Sequence, residues 1–198
     1  MAIADILTGP VQVWYAPVGE PFPNPNTIGA GDEWGGNWVK LGYTKTPLSA
    51  EYKSEEKEVF IQEALGPVKR WRSAESLTLE TSLAELTAAN FGLAVDEEAV
   101  VTQRGQNQVG REDIYLGGTA TLTERAWGFE GTYTDEDGNR FPVRVFVYKG
   151  TATLNGALEF GKEDYPAIPL QVKALQDVSQ PAGRQLLHFQ RVTALATG

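Results

Sequence analysis

The stretch SLTLETS, residues 76–82, decides the fold because its polar and apolar residues alternate without a break. Successive side chains of a β-strand point to opposite faces of the sheet, so this alternation predicts a strand with one buried face. The predicted buried face holds Leu77, Leu79 and Thr81. The polar residues that occupy the opposite face are Ser76, Thr78, Glu80 and Ser82.

A short helix is predicted directly after this strand. Ser82, followed three residues later by Glu85, matches a capping box, in which the two side chains bond backbone N–H groups that a helix start leaves unpaired. Gly92 is a suitable residue to end the helix, since glycine readily takes the left-handed conformation found there. The predicted helix therefore covers residues 83–91.

Before the strand, residues 52–72 follow no clear period. Charged residues surround an apolar island at residues 59–61, and the segment also carries Tyr52 and Trp71. Such a segment buries little of itself, and a long excursion inside a compact domain is commonly functional. Two interpretations stay open: a solvated surface loop, or an arm that becomes ordered on a neighbouring subunit.

The arm interpretation is favoured by apolar side chains that are costly to leave in water. Burying one such side chain on a partner gains roughly 1.5 to 3 kcal/mol. Phe60 and Ile61 are the most apolar adjacent pair among the lysines and glutamates, which makes them the hypothesised anchors. The residues predicted to form the inter-subunit arm are Tyr52, Glu55, Glu56, Phe60, Ile61, Trp71 and Arg72.

The rest of the chain is predicted to form antiparallel strands joined by turns and two long loops. Glycine, proline and asparagine in residues 17–37, and polar residues in 96–112, predict irregular loops. The predicted fold is mainly β, an antiparallel β-sandwich or barrel with one short α-helix and a long protruding loop. Alternation and turn signals place the other strands at residues 11–15, 38–43, 127–134, 141–147, 151–160, 165–175 and 186–192.

Length and composition restrict the possible functions. A chain of 198 residues fits a single domain covering residues 1–198. Cysteine is absent, which excludes disulfides and thiolate-bound metal. The formal charge of -9 argues against a general affinity for nucleic acid, since phosphate binding needs clustered lysine and arginine. Without a signal-peptide pattern or a membrane-length apolar run, we expect synthesis in the cytoplasm and no membrane association.

Few residues suggest catalysis, and we expect no enzymatic activity, no cofactor and no metal. Residues 135–139 resemble a calcium loop, but the glycine lies two positions early, and Asp-Gly is a strong hairpin-turn signal. His188 is the single histidine, so a metal site would lack a second one. A hydrolase with paired carboxylates would have to use Glu159, Glu163 or Asp164.

Two further features have a binding interpretation. Residues 69–72, with sequence KRWR, form the densest basic cluster, but Glu75 lies beside them, and a solvated patch or interface is favoured over a nucleic-acid site. The five tryptophans could form a sugar-stacking platform. A carbohydrate-binding β-sandwich is therefore the alternative function.

The order of these elements resembles the tail tube protein of long-tailed bacteriophages, the lambda-like siphophages. The resemblance covers most of the chain and rests on the stretches VQVWYAP, FPNPN, LGYTKTPLSAEYKSEE, SLTLETSLAEL and YPAIPLQVKAL. Residues 46–50, TPLSA, are similar to a TPGEL-type stretch before the arm, with a departure at the glycine. Some relatives carry a separate C-terminal immunoglobulin-like domain, which we do not expect here.

The resemblance implies a structural virion protein with no catalytic residue. In the family, homohexameric rings self-assemble by stacking into a hollow viral tail tube for DNA ejection. The implied partners are further copies of the chain and the tape measure, terminator and tail-tip proteins. Genomic DNA would pass through transiently without specific binding, which an acidic wall would favour because like charges repel. The protein would be made in the host cytoplasm and reside in the virion.

Overall fold

The computed structural model describes residues 8–118, 121–158, 160 and 165–194 of the chain. Within these ranges the protein is mainly β, with ten strands and a single short helix. The helix is α1 (Ala88–Val95). The strands are β1 (Thr8–Pro17), β2 (Val39–Tyr43), β3 (Ser49–Val59), β4 (Lys69–Leu83), β5 (Val100–Thr102), β6 (Arg111–Asp113), β7 (Glu124–Thr134), β8 (Arg140–Leu154), β9 (Ile168–Ala174) and β10 (Leu187–Arg191).

Eight strands form one antiparallel sheet in the order β2-β1-β7-β8-β9-β4-β3, with β10 also paired to β8. On one edge, β8 has two neighbours, because β10 pairs with residues 143–147 and β9 with residues 150–154. Beyond β2, Thr44 bridges Leu83 at the end of β4, so the sheet curls back on itself. This architecture confirms the predicted fold class and is consistent with a β-sandwich.

The main core packs against one face of the sheet and against α1. The predicted buried side of β4 is confirmed, because Leu77, Leu79 and Thr81 are all buried. The alternation predicted for β1, β7, β8 and β9 likewise places their apolar residues inward. The core includes Val13, Leu41, Leu77, Leu79, Leu83, Leu93, Trp127, Phe129, Val147, Ile168, Leu170 and Val172.

The opposite face of β1, β7 and β8 is covered by the long segment between β1 and β2. Residues 18–38 are irregular, as predicted, yet their aromatic side chains form a second core with the sheet. Trp34 stacks on Trp14 with ring centroids 4.9 Å apart, and Phe22 stacks on Phe146 at 4.3 Å. This segment is therefore a packed cover, which the sequence did not predict.

A buried ion pair fixes the cover to the sheet. Glu130 and Arg144 face each other on β7 and β8, with Arg144 Nε donating to Glu130 Oε2 at 2.7 Å. Both side chains are essentially inaccessible to solvent. The cover supplies further partners, since Gly31 N donates to Glu130 Oε1 and the carbonyls of Ile28 and Gly29 accept from Arg144 Nη2. Arg144 Nη1 is buried without a hydrogen-bond partner among the described residues.

The helix starts later than the capping box at Ser82 predicted. Ser82 lies in β4, paired with Pro169 of β9, so pairing across the sheet prevails over the local capping signal. Thr87 caps the helix instead, because its Oγ1 accepts from the backbone N–H of Asn90 at 3.1 Å. Asp96, at a φ of 57°, rather than Gly92, ends the helix.

Two other predicted boundaries are wrong. Residues 151–154 continue β8 instead of starting a new strand at 151, and part of the predicted strand, residue 159, lies outside the described residues. The predicted loop 96–112 contains the paired strands β5 and β6. The turn at residues 135–139 is confirmed: Asp135 Oδ1 accepts from the backbone N–H groups of Asp137 and Asn139.

Gly128→Ala tests how tightly the cover is packed. A methyl group at this position would overlap the six-membered ring of Trp34. We expect the free energy of unfolding to fall by about 1–3 kcal/mol, as overpacking a filled core does. Urea denaturation followed by tryptophan fluorescence measures the change. The control is Gly66→Ala, where a Cβ meets no atom within 4 Å; equal losses in both variants would contradict the tight packing.

Glu130→Gln tests the buried ion pair. The variant keeps an acceptor for the cover but leaves the Arg144 charge buried without a counter-charge, and a loss of about 3–5 kcal/mol in unfolding free energy is expected. The double variant Glu130→Gln/Arg144→Met removes both charges and should be more stable than Glu130→Gln alone. A double-mutant cycle from denaturant unfolding makes the comparison, and additive losses would show that the two charges are not coupled.

Candidate assembly surface

The segment predicted as an aperiodic arm is a two-stranded ribbon. β3 and β4 pair from Ser49↔Glu80 to Val59↔Lys69, whereas β9 accompanies β4 only over residues 78–83. Residues 52–59 and 69–77, here called the ribbon, therefore project beyond the sheet by roughly 25 Å at the usual rise per residue. Pairing went unpredicted because both faces of the ribbon meet solvent, so no apolar alternation marks the strands.

The ribbon has almost no buried surface of its own. Every residue of β3 is exposed, and so are the first eight residues of β4. An isolated two-stranded hairpin is only marginally stable in water, and three strands or a packed partner are usually needed. The ribbon is therefore the part of the described structure with the least support from packing of its own.

One face of the ribbon carries a network of ion pairs. Arg70 Nη2 lies 2.6 Å from Glu58 Oε1, and Arg70 also approaches Glu56. Arg72 donates to Glu75, and this hydrogen bond lowers the pKa of the Glu75 carboxyl. The two arginines of the basic cluster at residues 69–72 thus have acidic partners within their own ribbon, which disfavours a phosphate-binding role.

The other face combines lysines with an exposed tryptophan. Trp71 on β4 lies opposite Lys57 on β3, with 44% of its surface exposed. Lys69 and Val59 form the next pair towards the end of the ribbon. Tryptophan is enriched at protein interfaces whereas lysine is depleted there, so Trp71 is the residue of this face best suited to a contact.

The segment that joins the two strands, residues 60–68, is here called the tip. A hydrogen bond from Val68 N to Val59 O closes it at 2.8 Å. Phe60 is 62% exposed, Ile61 and Val68 are about half exposed, and Leu65 is fully exposed. Glu63 is the one charged residue of the tip. The tip is therefore an apolar knob at the end of a charged ribbon.

The predicted arm residues fall into three groups. Phe60 and Ile61 lie on the tip, and the ribbon separates the others between its faces. Register places Tyr52, Glu56 and Arg72 on the ion-paired face, and Glu55 and Trp71 on the opposite face. Leu65 and Val68 were not predicted as arm residues. The Gly-Pro pair between them, residues 66–67, is a turn signal that could have placed both residues in a surface turn.

The alternative carbohydrate site loses its basis in the structure. Trp14, Trp34, Trp38 and Trp127 are buried, so a sugar could reach only Trp71. A sugar-stacking platform formed by several tryptophans, as predicted, is therefore not present among these five residues.

The other candidate sites gain no support either. His188 lies on β10 beside the rings of Phe22 and Phe146. Across the described ranges, no group of three or more histidine, aspartate or glutamate residues could hold a metal ion. The proposed carboxylates Glu159, Glu163 and Asp164 lie outside the described residues. Among the residues with described positions, no helix has the length and apolar character to span a membrane.

Comparison with known proteins agrees with the resemblance seen in the sequence. No curated protein matches the chain. A family model described as phage tail tube protein matches residues 4–187, which is nearly the whole chain and includes the ribbon, the tip and both cores. The chain therefore belongs to the phage tail tube protein family and is a structural component of the virion.

Proposed function

We propose that this protein self-assembles into homohexameric rings, that the rings stack into the hollow tail tube, and that the ribbon and tip form a contact between subunits. Family membership supports the tube. The ring of six is part of the proposal and is what the resemblance to the lambda-like tail tube proteins implies. The observation that carries the role of the ribbon is its apolar tip, which projects from an otherwise charged surface.

The energetics of the tip favour association. Exposed side chains such as Phe60 and Leu65 each gain roughly 1.5 to 3 kcal/mol when fully buried on a partner. The ion pairs of the ribbon contribute little, since exposed pairs are usually worth less than about 1 kcal/mol. The tip therefore supplies the attraction, while the charged ribbon sets orientation and partner choice.

The tube would serve as a passive conduit for DNA. A formal charge of -9 per subunit makes the assembled wall acidic overall, and an acidic wall repels the phosphates of a passing duplex. Specific DNA binding would slow ejection. The protein is proposed to act without catalysis or a cofactor, in contact with the tape measure, terminator and tail-tip proteins.

Phe60→Ala tests the tip as an anchor. Removing the ring should weaken subunit association by about 2 kcal/mol or more per contact, which is roughly thirty-fold in the dissociation constant. The unfolding free energy of the free subunit should hardly change, because Phe60 is 62% exposed. Sedimentation velocity measures the association, and negative-stain electron microscopy counts the tubes.

Lys57→Ala is the control, a substitution on the same ribbon that leaves the tip intact. This variant should alter assembly mainly through its salt dependence, because exposed charges are screened by added ions. Normal polymerisation of Phe60→Ala at the wild-type threshold concentration would place the anchor elsewhere, with Trp71 the next candidate.

Hydrogen exchange tests whether the ribbon becomes covered. Backbone amides of residues 52–72 should exchange fast in the free subunit and slowly in the assembly, because the ribbon has solvent on both faces before association. Peptides from β7 and β8, at the centre of the sheet, should be protected in both states and serve as the internal control. Unchanged exchange of residues 52–72 after polymerisation would remove the ribbon from the interface.

A further inference from the structure

A cavity of about 310 Å³ lies at the base of the ribbon. It is here called the socket. One wall comes from the ion-paired face of the ribbon and the other from the segment that leads from β9 into β10. The lining includes Tyr52, Arg72, Leu77, Gln176, Gln185 and Leu187.

The socket has an apolar floor and a polar rim that is already ordered. Leu77 is buried in the core, and Leu187 packs against the same core from β10. At the rim, Arg72 is bonded to Glu75, and the amide of Gln176 donates to the amide oxygen of Gln185. An apolar pocket surrounded by fixed polar groups is the usual form of an interface hot spot.

The size of the socket suits the apolar side chains of the tip. A cavity of about 150 Å³ is enough to bind benzene, so the socket can take the ring of Phe60 with room for a second aliphatic group. The tip carries a single charge, Glu63, which would stay at the solvent-exposed rim, where Arg72 is already bonded to Glu75.

The tip cannot fill the socket of its own subunit. The ribbon separates the tip from the floor of the socket at Leu77 by roughly 25 Å, since paired strands are extended; Arg72, at the rim, is the lining residue nearest to the tip. Any tip that enters a socket therefore belongs to another copy of the chain.

We propose that the tip of each subunit binds in the socket of a neighbouring subunit, with Phe60 or Leu65 directed towards Leu77 and Leu187. This inference rests on the proposed function, because it names the receiving surface for the same tip. Tip and socket are different surfaces, so the contact is heterologous. Each subunit offers one of each, and the contact therefore repeats from copy to copy until a ring closes or a tube ends.

Cysteine cross-linking tests the placement, since the natural chain contains no cysteine. Gln62→Cys adds a thiol to the tip without changing its apolar residues. Arg184→Cys adds one at the rim, between the lining residues Gly183 and Gln185. The two variants, one carrying a mass tag, are mixed under reducing conditions, checked for tubes by electron microscopy, and oxidised with copper phenanthroline.

The expected result is a mixed disulfide dimer on a non-reducing gel, at least several-fold stronger than in the control mixture. The control pairs Gln62→Cys with Val101→Cys, a thiol on the exposed β5, which belongs to a different apolar patch. Tubes that form without the 62–184 cross-link, or with an equal 62–101 cross-link, would overturn the socket and leave the proposed function standing. Failure of the wild-type chain to form any oligomer would overturn both.

Discussion

The contact between Glu130 and Arg144 is the constraint on which the two-faced sheet depends. Each charge on its own would be costly to bury, and together they still need further donors and acceptors. The segment between β1 and β2 provides one backbone donor and two backbone acceptors, which fixes residues 28–31 over the sheet. Trp34 is held at the same place, since its indole N–H donates to Glu130. An irregular segment thereby becomes a second core, and the strands between the two cores become a rigid support.

This rigid support explains how the chain can carry a ribbon with so little burial. β4 is one continuous strand whose end beyond residue 77 lies in the core and whose beginning, residues 69–76, lies in solvent. The orientation of the ribbon is thus fixed by the pairing of β4 with β9 and by the packing of Leu79 and Leu83 in the core. Stability and recognition occupy two ends of the same strand, so a subunit can present a poorly packed surface without losing its fold.

Much of the fold could be predicted because the strands with one buried face leave a period of two. Leu77, Leu79 and Thr81 are an example. Alternating residues also located β7, β8 and β9, although the cover buries the second face of β7 and β8 as well. Prediction failed where the signal is tertiary: Ser82 matches a cap but is paired with Pro169, and Arg144 resembles any surface arginine in a strand. The ribbon was predicted as exposed but not as paired, because a strand with solvent on both sides has no alternation to detect. Phe60 and Ile61 could be predicted because they are apolar residues among charged neighbours. The socket could not be predicted, because it is formed by residues as distant in sequence as 52 and 187.

The free edge of β3 has a consequence for how the protein avoids premature fibres. An exposed, regular strand edge is a template for indiscriminate pairing between chains, and natural proteins protect such edges with charge. β3 carries the sequence EYKSEEKE across residues 51–58, in which six of the eight residues are charged. A second β3 aligned in the wrong register would place glutamates opposite glutamates, and like charges opposite each other are destabilising. The charges that keep the ribbon soluble therefore also disfavour amyloid-like pairing of β3 with β3, so non-specific polymerisation is suppressed.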